Sequence, residues 1–268
     1  MAAENSASGS SEPSYNGKSL SEWLKVHANA PTQAEFQESE SAVRHIGTNA
    51  IPFLVADLAY QPRDWMVKMS SKIQSWPKPL GPWLDPAESS PNRVERAQDG
   101  FSILGLDAAP AIPALIVLAG RMDLWPRPTA ALAAIGSAAV TPLTETVADH
   151  GRSFDERHGA VNTLGNMGTN AASSATVLLG CLDDPRLARE AAVALGQVVV
   201  NPESLIPALT NGLHSGSSSR RMGSAVALGR FGHKAESAVP ALQRCLVDED
   251  SEVQWEVRKA ISAIQGFR

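Results

Sequence analysis

The sequence predicts an all-α chain, a solenoid of about six helical-hairpin repeats plus a terminal helix. Three observations carry that expectation. The 268 residues hold 40 alanines against only six Trp, six Phe and two Tyr, which suits thin, closely spaced helices better than one large core. A Leu/Ile-Gly dipeptide recurs at Ile46-Gly47, Leu104-Gly105, Ile135-Gly136, Leu164-Gly165, Leu195-Gly196 and Leu228-Gly229; the first interval, Gly47 to Gly105, is long, and the later glycines are 31, 29, 31 and 33 apart. A second marker follows each dipeptide at Ile51-Pro52, Ile112-Pro113, Thr141-Pro142, Thr176, Ile206-Pro207 and Val239-Pro240. In the last three units the step is constant, from Gly165 to Thr176, Gly196 to Pro207 and Gly229 to Pro240. Fixed internal spacing at a period of roughly 30 is the signature of a stacked repeat.

Within each unit the first helix carries apolar residues at helical spacing, as in Leu187, Ala191, Ala194 and Leu195, and the Leu-Gly glycine is expected as its C-cap. Proline then falls early in the second helix, where its missing N–H costs nothing. Ser19 with Glu22, Ser153 with Glu156 and Ser251 with Gln254 have capping-box spacing, and Asp184-Pro185 and Asn201-Pro202 read as N-cap plus first-turn pairs. A βαβ alternative needs runs of β-branched residues, and only Val198-Val199-Val200 qualifies.

In chain order, residues 1–14 read as a disordered, Ser- and Ala-rich tail without the basic and apolar regions of a signal peptide. Residues 15–59 hold an N-terminal helix and the first repeat. Residues 60–92 are a Trp/Pro-rich insertion, and residues 93–268 the repeat array. Net charge −5 disfavours broad nucleic-acid binding, and the absence of an apolar run of about 18 residues argues against a membrane span. The chain is expected to be soluble, cytoplasmic if complete and exported if a leader was trimmed. Cys181 and Cys245 occupy the same place in units four and six, two repeat steps apart, so both are expected as buried free thiols.

Arg157 ahead of Ala160 and Leu164-Gly165, Arg221 ahead of Ala225 and Leu228-Gly229, and the terminal Val257-Arg258-Lys259-Ala260 resemble the HEAT repeat, more narrowly the short bacterial class that includes the phycobilisome-lyase type. The resemblance covers about residues 40–58 and 93–266. The opening Tyr15-Asn16-Gly17-Lys18-Ser19-Leu20-Ser21-Glu22-Trp23-Leu24, with Ala42 to Pro52, is similar to the start of a bacterial HEAT-repeat family of unassigned function. It implies a right-handed α-α superhelix with second helices lining the concave side. Departures are the missing Pro in unit four, Ala188 where the usual Arg would sit, and the long first interval.

Counted from the proline, the positions expected to face that concave side are Val55, Ala56, Ala59, Ile116, Val117 and Gly120 in units one and two, then Glu145, Thr146 and Asp149, Thr210, Asn211 and His214, and Gln243, Arg244 and Val247. This surface runs from apolar to polar. The insertion carries Trp65, Trp76 and Trp83, half of all tryptophans, and is expected to cap the apolar end, with a partner- or membrane-facing loop as the alternative. On the last helix Trp255 lies opposite the face of Val253, Val257, Ala260 and Ile264, outward and available for a contact, such as a weak homodimer through the C-terminal helix.

No catalytic constellation emerges. The six histidines, His27, His45, His150, His158, His214 and His233, have no metal spacing and no His-Glu pair of the kind HEAT-like di-iron hydroxylases use, so neither a metal nor a cofactor is expected. Asp183-Asp184 and Asp248-Glu249-Asp250 recur where helices begin and are accounted for by the helix dipole. Arg96, Arg127, Arg157, Arg189, Arg221 and Arg258 are expected to pair with these acids and not with phosphates. The functional expectation is a non-enzymatic scaffold binding a protein or peptide through Trp65, Trp76, Trp83, Glu145, Asn211, His214, Gln243, Arg244 and Trp255. A lyase-like or accessory protein holding a small ligand or chromophore in an apolar pocket is the alternative, and nucleic-acid binding a weaker one.

Overall fold

The structure is a computed structural model that describes residues 11–61 and 90–266. Trp65, Trp76 and Trp83, and with them the expected cap of the groove, lie outside the described residues. The described residues fall into two compact units, which divide between Ala111 and Ile112.

The first unit opens with a two-residue hairpin, β1 (Ser14–Tyr15) against β2 (Lys18–Ser19). Asn16 and Gly17 both have positive φ, 48° and 77°, as a tight hairpin turn demands. The Tyr15 carbonyl accepts a 2.9 Å hydrogen bond from Trp23 Nε1 and the Glu12 carboxylate accepts one from the Ser21 amide. Glu12 and Ser14, which fall within the stretch read as a tail, take part in these contacts. α1 (Leu20–Asn29) carries the expected capping box of Ser19 and Glu22 and buries Trp23 to 1% exposure. α2 (Gln33–Ile46), α3 (Ile51–Ala59) and α4 (Ser90–Leu104) complete the unit, with α4 packed on the other three. A Cβ added to Gly100 would stand 2.6 Å from Leu54 Cδ2, so α4 and α3 touch as closely as side chains allow.

The second unit is a run of helical hairpins. Its helices are α5 (Ile112–Ala119), α6 (Arg127–Ile135), α7 (Val140–Ala148), α8 (Phe154–Met167), α9 (Ala175–Gly180), α10 (Ala188–Val198), α11 (Ile206–Gly212), α12 (Ser218–Phe231), α13 (Val239–Arg244) and α14 (Ser251–Gln265). α6, α8, α10, α12 and α14 pack in succession, and α7, α9, α11 and α13 each pack on the helix that follows them. Pro142, Pro207 and Pro240 lie in the first turns of α7, α11 and α13, as expected.

The Leu-Gly dipeptide does two different jobs. Gly47, Gly105 and Gly136 are the positive-φ residues that follow α2, α4 and α6, at 60°, 51° and 82°. In the later repeats the C-caps are instead Gly168 and Gly232, both at 58°, and Gly165, Gly196 and Gly229 lie inside α8, α10 and α12. There they thin the helix where its neighbour crosses. A Cβ on Gly229 would meet Ala260 Cα at 2.9 Å, and one on Gly165 would meet Ala194 Cα at 3.3 Å. Helix length explains the difference: α8 and α12 run on past the dipeptide to Met167 and Phe231, so the cap moves and the dipeptide becomes a contact.

Other local expectations shift as well. Ser153 and Glu156 form their capping box, but Asp250 caps α14 in place of Ser251, while Gln254 donates to the Asp248 carbonyl. Asp184-Pro185 belongs to a turn before α10, whose first residue is Ala188. Val199 and Val200 follow α10 and form no strand. Residues 92–119 and 127–148 are long and apolar enough to cross a membrane by composition. Neither stretch is one continuous α-helix, because Gly105 and Gly136 break them at positive φ.

Candidate functional site

Glu145 on α7, Asn211 on α11, and Gln243 and Arg244 on α13 are exposed, as is His214 just beyond α11. Their side chains make no hydrogen bond or ion pair among the described residues. Trp255 is 60% exposed, on the side of α14 away from buried Val253, Val257, Ala260 and Ile264. Three positions expected on the open surface are instead buried, Gly120 among them, where a Cβ would meet the Glu156 amide nitrogen at 2.9 Å. Thr146 turns its hydroxyl onto the Pro142 carbonyl at 2.8 Å, and Ile116 packs inward, leaving Val117 exposed.

Five of the six arginines expected to pair fall into three groups. Arg157, Arg189 and Arg221 pair with acids. Arg258 bonds Gln254 of its own helix. Arg96 is 5% exposed, and its Nε and Nη1 have no partner among the described residues, against the expected pairing. Arg189 also departs from an inter-repeat partner, because it reaches the terminal helix and binds Glu256 and Glu252 at 2.7 Å each. One residue past the usual Arg position, it stands about 100° further round α10. Burial alone would push the Glu256 carboxyl up, but hydrogen bonds from Arg189 and Lys259 hold it below its ordinary value.

The remaining polar residues fall into two matching clusters. A shift of two repeats, which lays His150 on His214, also superposes Ser153 on Ser217, Arg157 on Arg221, Cys181 on Cys245 and Asp184 on Asp248. The local geometry repeats with the residue types. Ser153 and Ser217 both cap their helices, both aspartate amides donate to the cysteine carbonyl three residues back, and both aspartates accept the amide two residues ahead. This doubled period is visible in the sequence, but a search tuned to single repeats registers only its cysteines.

In the C-terminal cluster Arg221 is saturated. Nε and Nη2 grip Asp248 at 2.8 Å each, Nη2 also reaches Glu249 at 3.2 Å, and Nη1 donates to the Ser215 and Gly216 carbonyls. The bidentate bond from Arg221 holds the Asp248 carboxyl below its ordinary value, and Asp248 raises Arg221 in return. In the N-terminal cluster Arg157 donates from Nε to the Val147 carbonyl at 3.1 Å and from Nη1 to Asp184 at 3.0 Å. Its Nη2 has no partner among the described residues. A cleft of about 590 Å³ opens here, lined by Val147, Ala148, His150, Arg157, Val177, Gly180, Cys181, Asp183 and Asp184. Burial pushes the Cys181 thiol up to about 11 and raises Cys245 too, so both are neutral thiols near pH 7 and poor nucleophiles. Both are buried and free, as expected from their spacing. Among the described residues no group of three or more His, Cys, Asp or Glu could hold a metal ion.

A family model described as HEAT repeats matches residues 176–265. Over that span the chain is similar to HEAT repeats. The span runs from α9 to the end of α14 and contains the whole Cys245–Asp248 turn. No curated protein matches the chain. Among solved structures, a designed armadillo repeat protein in complex with the peptide (KR)4 is 17% identical, with TM-score 0.40 over 92% of this chain and 100% of that one. An engineered protein is 19% identical, with TM-score 0.40 over 92% and 96%. Human deoxyhypusine hydroxylase in complex with glycerol is 18% identical, with TM-score 0.39 over 92% and 95%.

Proposed function

We propose that this chain is a non-enzymatic scaffold that binds a protein or peptide through its second helices. The observation that carries this reading is the set Glu145, Asn211, Gln243 and Arg244. These sit three or four residues after the proline in their second helices, exposed and without partners among the described residues. Polar side chains left unpaired at a repeated position offer hydrogen bonds at intervals along a surface, which suits an extended ligand. The internal chemistry supports the same reading, since the buried acids and arginines of the second unit are mostly spent on each other.

The test is a peptide-display selection on the full chain, followed by fluorescence anisotropy of the enriched peptide. The variant Asn211→Ala, Gln243→Ala, Arg244→Ala should fold normally and bind at least about tenfold more weakly, as loss of central polar anchors implies. No enriched peptide, or equal binding by the variant, overturns the proposal.

A further inference from the structure

The geometry points to the cleft over Arg157 as a binding site for a carboxylate attached to a small apolar group. The second cluster serves as an internal template for this site, independently of the exposed row of the second helices. At Arg221 the chain itself shows what this guanidinium position holds: Asp248 on Nε and Nη2, with a second carboxylate, Glu249, also on Nη2. In the earlier cluster the place of Glu249 is taken by Pro185, which carries no acceptor side chain. Arg157 keeps its aspartate and loses the second acid.

Three further replacements change what lies beside it, and the one at Gly180 opens space. Arg244 corresponds to Gly180, Val247 to Asp183 and Asn211 to Val147. Gly180 has nothing within 4 Å of the place a Cβ would occupy, and the walls next to it are Val147, Ala148 and Val177. Asp183, the added acid, is engaged by Arg220. Arg157 is nine-tenths buried, lines this cleft and has Nη2 left over. A guanidinium nitrogen open to the cleft, beside an apolar hollow, favours an anion carrying a short aliphatic group, which adds a charge-assisted bond and covers apolar surface. The 590 Å³ of the cleft accommodates a single amino-acid residue or a small organic acid.

The experiment follows the methyl resonances of Val147 and Val177 in the full chain during titration with isobutyrate, acetyl-Ala-Ala-Val with a free carboxyl end, and the same peptide as its amide. A saturable shift is expected with the carboxylates, with Kd on the order of 1 mM for ligands this small. Tighter binding of isobutyrate than of the peptide assigns the site to free acids; the reverse assigns it to chain ends. Two variants leave Arg157 in place. Gly180→Leu fills the hollow, and Pro185→Glu, at an exposed turn, restores the missing acid; each should weaken carboxylate binding at least about tenfold. Equal shifts with the amide, no shift with any acid, or undiminished binding by both variants overturns the assignment.

Discussion

The two clusters, two repeats apart, use the same residues to opposite ends. At Arg221 and Asp248 both side chains are 8% exposed and every guanidinium nitrogen has an acceptor. At Arg157 the aspartate partner is 24% exposed, contact is through one nitrogen, and a cleft replaces the second acid. The difference teaches that a repeat can hold a structural bond and an open donor at one register position by exchanging neighbours alone: Glu for Pro and Arg for Gly.

The largest expected effect tests that contrast directly. Arg221→Met leaves Asp248 buried without its counter-charge and should cost about 3 to 5 kcal/mol. Arg157→Met strands a more exposed aspartate and should cost about 1.5 to 3 kcal/mol. Urea unfolding of both variants measures the gap, and equal losses would break the comparison. Next come the two kinds of glycine. Gly229→Val forces a side chain against the Ala260 backbone and should cost about 1 to 3 kcal/mol, while Gly232→Ala meets open space and suffers only from positive φ, about 1 to 2 kcal/mol. Adding a small-residue change at Ala260 cannot rescue the valine, because the nearest atom is backbone.

The smallest effect is in pH. The Asp248 carboxyl is held below its ordinary 3.8, so its contribution is fully present above that value and is lost as pH falls through the lower folded value. Glu256, held below 4.5, acts in the same direction. Unfolding free energy should change little from pH 7 to about 5 and decline below about pH 4, less steeply in Arg221→Met. An unchanged slope in that variant would remove the Arg221–Asp248 bond from the account.

The repeat, its proline marker, the Ser19 and Ser153 caps, the free cysteines and the outward Trp255 were legible because each follows from local spacing. The C-caps of α8 and α12 were not, since a glycine three residues before the cap satisfies the same pattern, and only the crossing helix shows what it is for. Thr146 and Ile116 defeated a count from proline because that count fixes position along a helix but leaves open how far the neighbouring helix rolls over it. The open guanidinium was least legible of all. Its meaning lies in Pro185 and Gly180, two residues that are informative only beside their counterparts Glu249 and Arg244.

The doubled period also sets how such an array can change length. Removing or duplicating a pair of repeats keeps every Arg157-type side chain 27 positions ahead of an aspartate, so each join inherits a ready-made ionic link. A single-repeat step taken after α8 would bring forward Ser215 in place of Asp184 and leave an arginine facing no acid. The heritable module of this part of the chain is thus a pair of hairpins, and its natural unit of growth is two repeats at a time.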